Sequence, residues 1–198
     1  PESNGAVIHG TRHTGEYTPV AAVVKGANDS ILDGFTVTGG RSANGAGMLN
    51  DAASPRVENC LFEDNHALAV NNSEGVGGGM YNRNNSSPVV VNCVFRNNVA
   101  DLSGGGIANR EYSSGTFVNC FIEDNISNLG GGLYNHTSNP RFENCVVKKN
   151  MAVTRPVEGG DPLMGFGGGL YNIGRLQDQY PVELGTAPPA DPVFYNCL

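Results

Sequence analysis

The sequence predicts an all-β fold, a single-stranded right-handed parallel β-helix of about seven coils, and three recurring signatures predict it. The first is a glycine cluster ending in Asn: GAGMLN (45–50), GGGMYN (77–82), GGGIAN (104–109), GGGLYN (130–135) and GGGLYN (167–172). The second is an Asn-Cys step, 13 or 14 residues after the last glycine in the first four units. The third is an Asn five residues after each of the first four cysteines: Asn65, Asn98, Asn125 and Asn150.

The residue before each cysteine fixes a register: Asn59, Asn92, Asn119, Asn144 and Asn196. Upstream, ILDGFTVTGG (31–40) aligns with RVENCLFEDN (56–65), which puts Gly34 in the place of Asn59. VIHG (7–10) aligns in turn with ILDG (31–34), which puts Gly10 there. The anchors are spaced 24, 25, 33, 27, 25 and 52 residues apart, so the unit is about 25 residues. The two long spacings are single coils carrying insertions at 66–76, 151–166 and 173–190. A unit this short cannot be a propeller blade and lacks the leucine spacing of a leucine-rich repeat, but it fits one turn of a β-helix.

In such a solenoid successive coils pair at about 4.8 Å, so identical residues stack on themselves. A column of amides can hydrogen-bond along the stack, so Asn65, Asn98, Asn125 and Asn150 are expected to form a ladder at a turn. Glycines suit corners that need positive φ or close backbone approach. All five cysteines occur in the Asn-Cys step, with no CxxC or Cys/His spacing. Cys60, Cys93, Cys120 and Cys145 therefore read as one repeated structural position of buried free thiols, behaving as small hydrophobes, and no metal site is expected.

Three residues after each cysteine come Glu63, Arg96, Glu123 and Lys148, alternating in sign. Stacked in this register, each charge has opposite neighbours, worth about 0.2–1 kcal/mol per pair. The inward positions are Val57, Val90, Phe117, Phe142 and Phe194, then the cysteines, then Phe62, Phe95, Ile122 and Val147. Leu61, Val94, Phe121, Val146 and Leu198 follow the cysteines directly, and alternation would turn them outward. Either a bend at Asn-Cys changes the parity, or one outer face carries an apolar stripe that marks a packing surface.

Composition narrows the function. The 198-residue chain holds 28 Gly, no Trp and only 16% charged residues, at a net charge of −7. It has length enough for one domain with a continuous core. No Lys/Arg stripe is available to contact phosphates, which argues against nucleic acid. No run of about 18 apolar residues is present, so no membrane insertion is expected. Residues 1–198 read as one domain, expected to be a fragment of a longer chain, because Pro1 begins and Leu198 ends within the repeat pattern. Further coils or a partner are expected to cover its ends, since bare strand edges template aggregation.

Aligned in this way, the chain resembles secreted bacterial right-handed β-helix repeat proteins over nearly its whole length. ILDGFTVTGG, SPRVENCLFEDNHA, SSPVVVNCVFRNNVA and NPRFENCVVKKNMA carry the resemblance. The pairing of GGGM, GGGI and GGGL with FxxN (Phe62–Asn65, Phe95–Asn98) is similar to the GGA[ILV] and FxxN repeats of polymorphic outer membrane proteins. The resemblance implies an extracellular or cell-surface protein, with the periplasm as the alternative compartment. It implies little about activity, because these repeats are scaffold residues, and a shared architecture does not transfer chemistry.

Function is expected in the loops that break the repeat. The insertions 66–76 and 151–166 leave the same corner three rungs apart, about 15 Å. They would bracket a shallow trough floored by VADLS (99–103) and ISNL (126–129). The candidate binding residues are His66, Glu74, Asp101, Arg155, Glu158 and Asp161, against a polysaccharide or a protein surface. The third insertion, at another corner, carries Arg175 and Tyr180.

The expected function is a non-enzymatic binding or scaffold module, such as an adhesin or a subunit docked to a larger assembly, with no cofactor. The alternative is a carbohydrate-active enzyme with its site in the trough, where Glu158, Asp161 and Arg155 are the weak catalytic candidates. A hydrolase needs two carboxylates across a sugar site. A lyase needs clustered acids holding Ca²⁺ and a Lys or Arg base, and Ca²⁺ enters only there. Asn28-Asp-Ser, Asn85-Ser-Ser and Asn135-His-Thr match glycosylation sequons, a pattern that Asn richness also generates by chance.

Overall fold

The computed structural model describes residues 6–10, 21–69, 75–154, 165–173 and 192–197. Its described strands are short and form four sheets in which every pairing is parallel. Each coil visits the four sheets in the same order, as a right-handed parallel β-helix does. Sheet I holds Ile31–Asp33, Arg56–Glu58, Val89–Val91, Thr116–Val118, Arg141–Glu143 and Val193–Tyr195. Sheet II holds Ala6–His9, Phe35–Thr38, Leu61–Glu63, Val94–Arg96, Phe121–Glu123 and Val146–Lys148. Sheet III holds Arg41–Ser42, His66–Ala67, Val99–Ser103, Ile126–Leu129 and Met151–Ala152. Sheet IV holds Val24–Lys25, Met48–Asp51, Met80–Arg83, Ile107–Arg110, Leu133–His136 and Leu170–Ile173.

The expected register holds from Ile31 onward. Leu32, Val57, Val90, Phe117, Phe142 and Phe194 stack in one column, and Phe142 meets Phe194 directly across the 52-residue spacing. That spacing is therefore one coil with insertions. The first coil needs a correction. Val7 pairs with Thr36 and His9 with Thr38, so VIHG lies on TVTG in sheet II and not on ILDG in sheet I. Gly10 accordingly corresponds to Gly39, and its backbone N–H donates to the Thr38 carbonyl at 2.9 Å. The alignment slipped because both segments end in glycine after three residues with apolar members.

Sheet I turns into sheet II at the Asn-Cys step, where Asn59, Asn92, Asn119, Asn144 and Asn196 all adopt left-handed backbone with φ of 49–54°. Asn tolerates that region better than most residues. The bend resets the side-chain alternation, so each cysteine points inward, the next residue outward and the Phe or Ile after it inward. Both readings of the apolar row are thus true at once: the bend exists, and Leu61, Val94, Phe121 and Val146 stack on the outer face of sheet II. Phe121 is 41% exposed.

The core runs along the axis. Phe62 and Phe95 stack with ring centroids 4.8 Å apart, as do Phe117 and Phe142. Cys60, Cys93, Cys120 and Cys145 are buried free thiols. Each hydrogen-bonds the carbonyl two residues back, at 3.0–3.4 Å. The contact with Cys60 and burial hold the Cys93 thiol well above its ordinary value, and the contact with Cys145 and burial do the same for Cys120.

Three amide ladders stitch the coils together. In the expected one, Asn65, Asn98 and Asn125 each donate Nδ2 to the Oδ1 of the next Asn, ending on Asn150, at 2.9–3.0 Å. The same amides also donate to Val37, Phe62, Phe95 and Ile122 carbonyls of the preceding coil. The Asn65 Oδ1 is satisfied by the Gly40 N–H at 2.9 Å. A second ladder joins Asn50, Asn82, Asn109, Asn135 and Asn172 inside sheet IV, at 2.7–2.8 Å. Asn135 is wholly buried there, so its sequon is inaccessible in the folded chain. A third ladder, on the surface, links the bend residues Asn144, Asn119, Asn92 and Asn59 and ends on Asp33, with the donors pointing the opposite way.

Candidate functional site

Sheet III carries the two segments expected to floor the trough. Its outward row is Arg41, His66, Val99, Ile126 and Met151, and its inward row is Ser42, Ala67, Ala100, Ser127 and Ala152. VADLS and ISNL, read from the sequence as short loops, are strands of this sheet. Each pairs with a strand on either side, with a shift of register between Ala100 and Ser103.

Two of the candidate binding residues meet. His66 Nε2 lies 2.8 Å from Asp101 Oδ1, and the Ala69 N–H donates to Asp101 Oδ2 at 2.8 Å. Both side chains are about a quarter exposed. A strand residue of one coil thus braces the root of the insertion of the coil before it. The His–Asp hydrogen bond fixes the ring's orientation, and on this partly wetted surface such a pair contributes about 0–1 kcal/mol. Glu74, Arg155, Glu158 and Asp161 lie outside the described residues, as do Arg175 and Tyr180. Among the described residues no group of three or more His, Cys, Asp or Glu side chains could hold a metal ion.

At the far side of the same corner the chain returns through Val76 and Phe166 before entering sheet IV. There the outward row of sheet IV is Leu49, Tyr81, Ala108, Tyr134 and Tyr171. Tyr81, Ala108 and Tyr134 are buried against Val76, with Leu129 packed at the edge. Burial pushes the Tyr81 phenol up. Arg83 sits over the Tyr81 ring and Arg110 over that of Tyr134, at 5.8 and 6.0 Å from the centroids. Phe166 stacks on Tyr171, and Tyr171 on Tyr134, each at 6.0 Å, and Phe166 is 48% exposed. This aromatic band lies where the chain enters sheet IV through Val76 and Phe166. The sequence carried its signal in the Tyr before the final Asn of GGGMYN and GGGLYN, which alternation alone assigned to no site.

Two further features had little sequence signal. Ser86, Ser113 and Ser138 form a buried column in which each hydroxyl accepts the backbone N–H of the coil before, at 3.1–3.2 Å. A cleft of about 260 Å³ opens at the N-terminal coils between Ile8, His9, Ala22, Val23 and Arg41. Arg41 is the register partner of His66, so this cleft and the His66–Asp101 pair share one edge of the solenoid.

The fold and the repeat define the class. The model of the right-handed β-helix region family matches residues 3–175, and the chain belongs to that family. Its members include binding proteins and carbohydrate-active enzymes. Comparison with curated proteins and with solved structures gave no match.

Proposed function

We propose that this chain is a non-enzymatic scaffold or binding module that works outside the cell or at its surface. One observation carries the reading: the recurrent polar residues are consumed in stacking. Three Asn ladders, a Ser column and an alternating charge row account for them. Outside the stacked columns, the described residues place the His66–Asp101 pair and the aromatic band ending in Phe166 along one edge. A polysaccharide or a protein surface fits that edge, with Phe166 as a stacking platform. The similarity of the GGG and FxxN motifs to outer membrane protein repeats supports the surface setting.

Binding is tested with glycan arrays and with affinity capture on the intact chain, comparing wild type with Asp101→Ala and Phe166→Ala. Retained binding of a defined glycan or protein, weakened by Phe166→Ala, is the expected outcome. Phe166 also favours a second reading, a carbohydrate-active enzyme, because exposed aromatics align sugar rings in such sites. Cleavage of a polysaccharide panel that is lost in Glu158→Ala or Asp161→Ala would establish that reading and overturn the first.

A further inference from the structure

The outer face of sheet II carries three parallel rows. The apolar row is Leu61, Val94, Phe121 and Val146. Beside it run Glu63, Arg96, Glu123 and Lys148, and each is followed at the next corner by Asp64, Asn97, Asp124 and Lys149, all exposed. Within the chain Arg96 pairs with Glu63 at 2.7 Å and Lys148 with Glu123 at 3.0 Å, while all four side chains keep 22–48% of their surface in solvent. Rung by rung, the two charged rows sum to −2, +1, −2 and +2.

We infer that this face pairs with the same face of a second copy of the chain, antiparallel, about a two-fold axis along the strands between the Arg96 and Glu123 rungs. The even, alternating pattern is self-complementary only in that arrangement. The −2 rung of Glu63 and Asp64 then faces the +2 rung of Lys148 and Lys149, and the +1 rung of Arg96 faces the −2 rung of Glu123 and Asp124. By symmetry each match occurs twice, as an isologous interface requires. Rows also meet their own kind: Leu61 lies against Val146 and Val94 against Phe121, so the apolar stripe is covered. Coil-on-coil parallel pairing would set each charged rung against its own sign, which costs affinity at every level.

The paired stretch is four of the sheet's six rungs, the rows continuing through Thr36 and Thr38 to Val7 and His9, and it is one short strand wide, smaller than a standard interface. The dimer is therefore weak, with a Kd on the order of 0.1–1 mM at low salt. It stands independently of what the edge at His66 and Asp101 binds.

Three measurements test it. Sedimentation equilibrium of the full chain at up to about 1 mM should give a dimer that weakens as salt rises. The all-acidic row (Arg96→Glu with Lys148→Glu) and the all-basic row (Glu63→Lys with Glu123→Lys) should each lose self-association about tenfold or more, and an equimolar mixture should recover it. Zero-length carbodiimide coupling of mixed isotope-labelled and unlabelled wild type should join Glu63 to Lys148 between chains. Within one chain those residues stand three rungs, about 15 Å, apart, so that product cannot form internally. The wild-type cross-link needs no variant to fold. A monomer at about 1 mM, a mixture no stronger than its parts, or interchain links mapping away from sheet II would each overturn the inference.

Discussion

Asn65 donates its Nδ2 to the Oδ1 of Asn98 at 3.0 Å, one coil along, and both residues are fully buried. Asn98 Oδ1 also accepts the Asn65 backbone N–H. Truncation of Asn98 to Ala strips two buried donors of their acceptor and leaves the Phe62 carbonyl without its amide. We expect Asn98→Ala to cost about 3 kcal/mol or more in urea unfolding.

The surface ladder should behave differently. Asn92 sits at φ 54° and bonds Asn59 and Asn119 at 3.2 Å in partly wetted surroundings. Asn92→Gly keeps the left-handed backbone and should cost under about 1 kcal/mol, whereas Asn92→Val adds the strain of a β-branched residue there, about 1–2 kcal/mol more. Equal losses for Asn92→Gly and Asn98→Ala would mean that burial does not set the strength of these ladders.

Equivalent glycines on different coils give a matched pair. A Cβ on Gly106 would stand 2.7 Å from the Gly132 carbonyl oxygen and 2.9 Å from Ile122 Cγ2, while on Gly169 the nearest atom is Val147 Cγ1 at 3.8 Å. Gly106→Ala should therefore destabilise by about 2–3 kcal/mol or more, and Gly169→Ala should be neutral or stabilise by about 0.4–1 kcal/mol. Thermal unfolding by circular dichroism ranks the two.

Phe95, in the sheet II column, is fully buried against Phe62, whereas Phe194, in the sheet I column, is 38% exposed and stacks on Phe142 with ring centroids 5.0 Å apart. Phe95→Ala should cost about 3–5 kcal/mol. Phe194→Ala should cost less than half as much, because its site is already open to water.

The thiol column predicts an alkaline limit. Cys93 and Cys120 are held above the ordinary value of 9.0 by their stacked neighbours, Cys60 and Cys145, and by burial. A raised folded value leaves stability intact below the unfolded value. It removes stability as pH rises past it, because the unfolded chain then releases protons that the fold retains. Each such thiol should steepen the loss by about 1.4 kcal/mol per pH unit above 9. Urea titrations between about pH 8 and 11 should show a shallower decline in Cys120→Ala than in wild type.

Most of the solenoid was legible because stacking repeats its chemistry in every coil. Asn-Cys recurs five times and fixed the columns of Phe62, Cys93 and Glu63 correctly. The first coil was misplaced because Gly10 has no cysteine after it, so two glycine-ended alignments were equally good locally. Sheet III was read as loops because its strands are as short as two residues and no Gly or Pro distinguishes VADLS or ISNL from a turn. The Asn50–Asn82 ladder and the Ser86–Ser113–Ser138 column escaped because Asn and Ser at strand ends also signal turns. Only the coil above shows whether such a residue is exposed or locked. The site was the least legible part, since a unique contact such as His66–Asp101 has no repeat to announce it.

The alternating row has one more effect, on how the chain finds its fold. Coils this alike invite a skipping error, in which one coil loops out and its neighbours close over the gap. Hydrophobic columns barely oppose that mistake, since Phe62 would meet Ile122 as readily as Phe95. The charge row does oppose it: omitting the Arg96 coil sets Glu63 on Glu123, and omitting the Glu123 coil sets Arg96 on Lys148. The row works as a parity check on coil order.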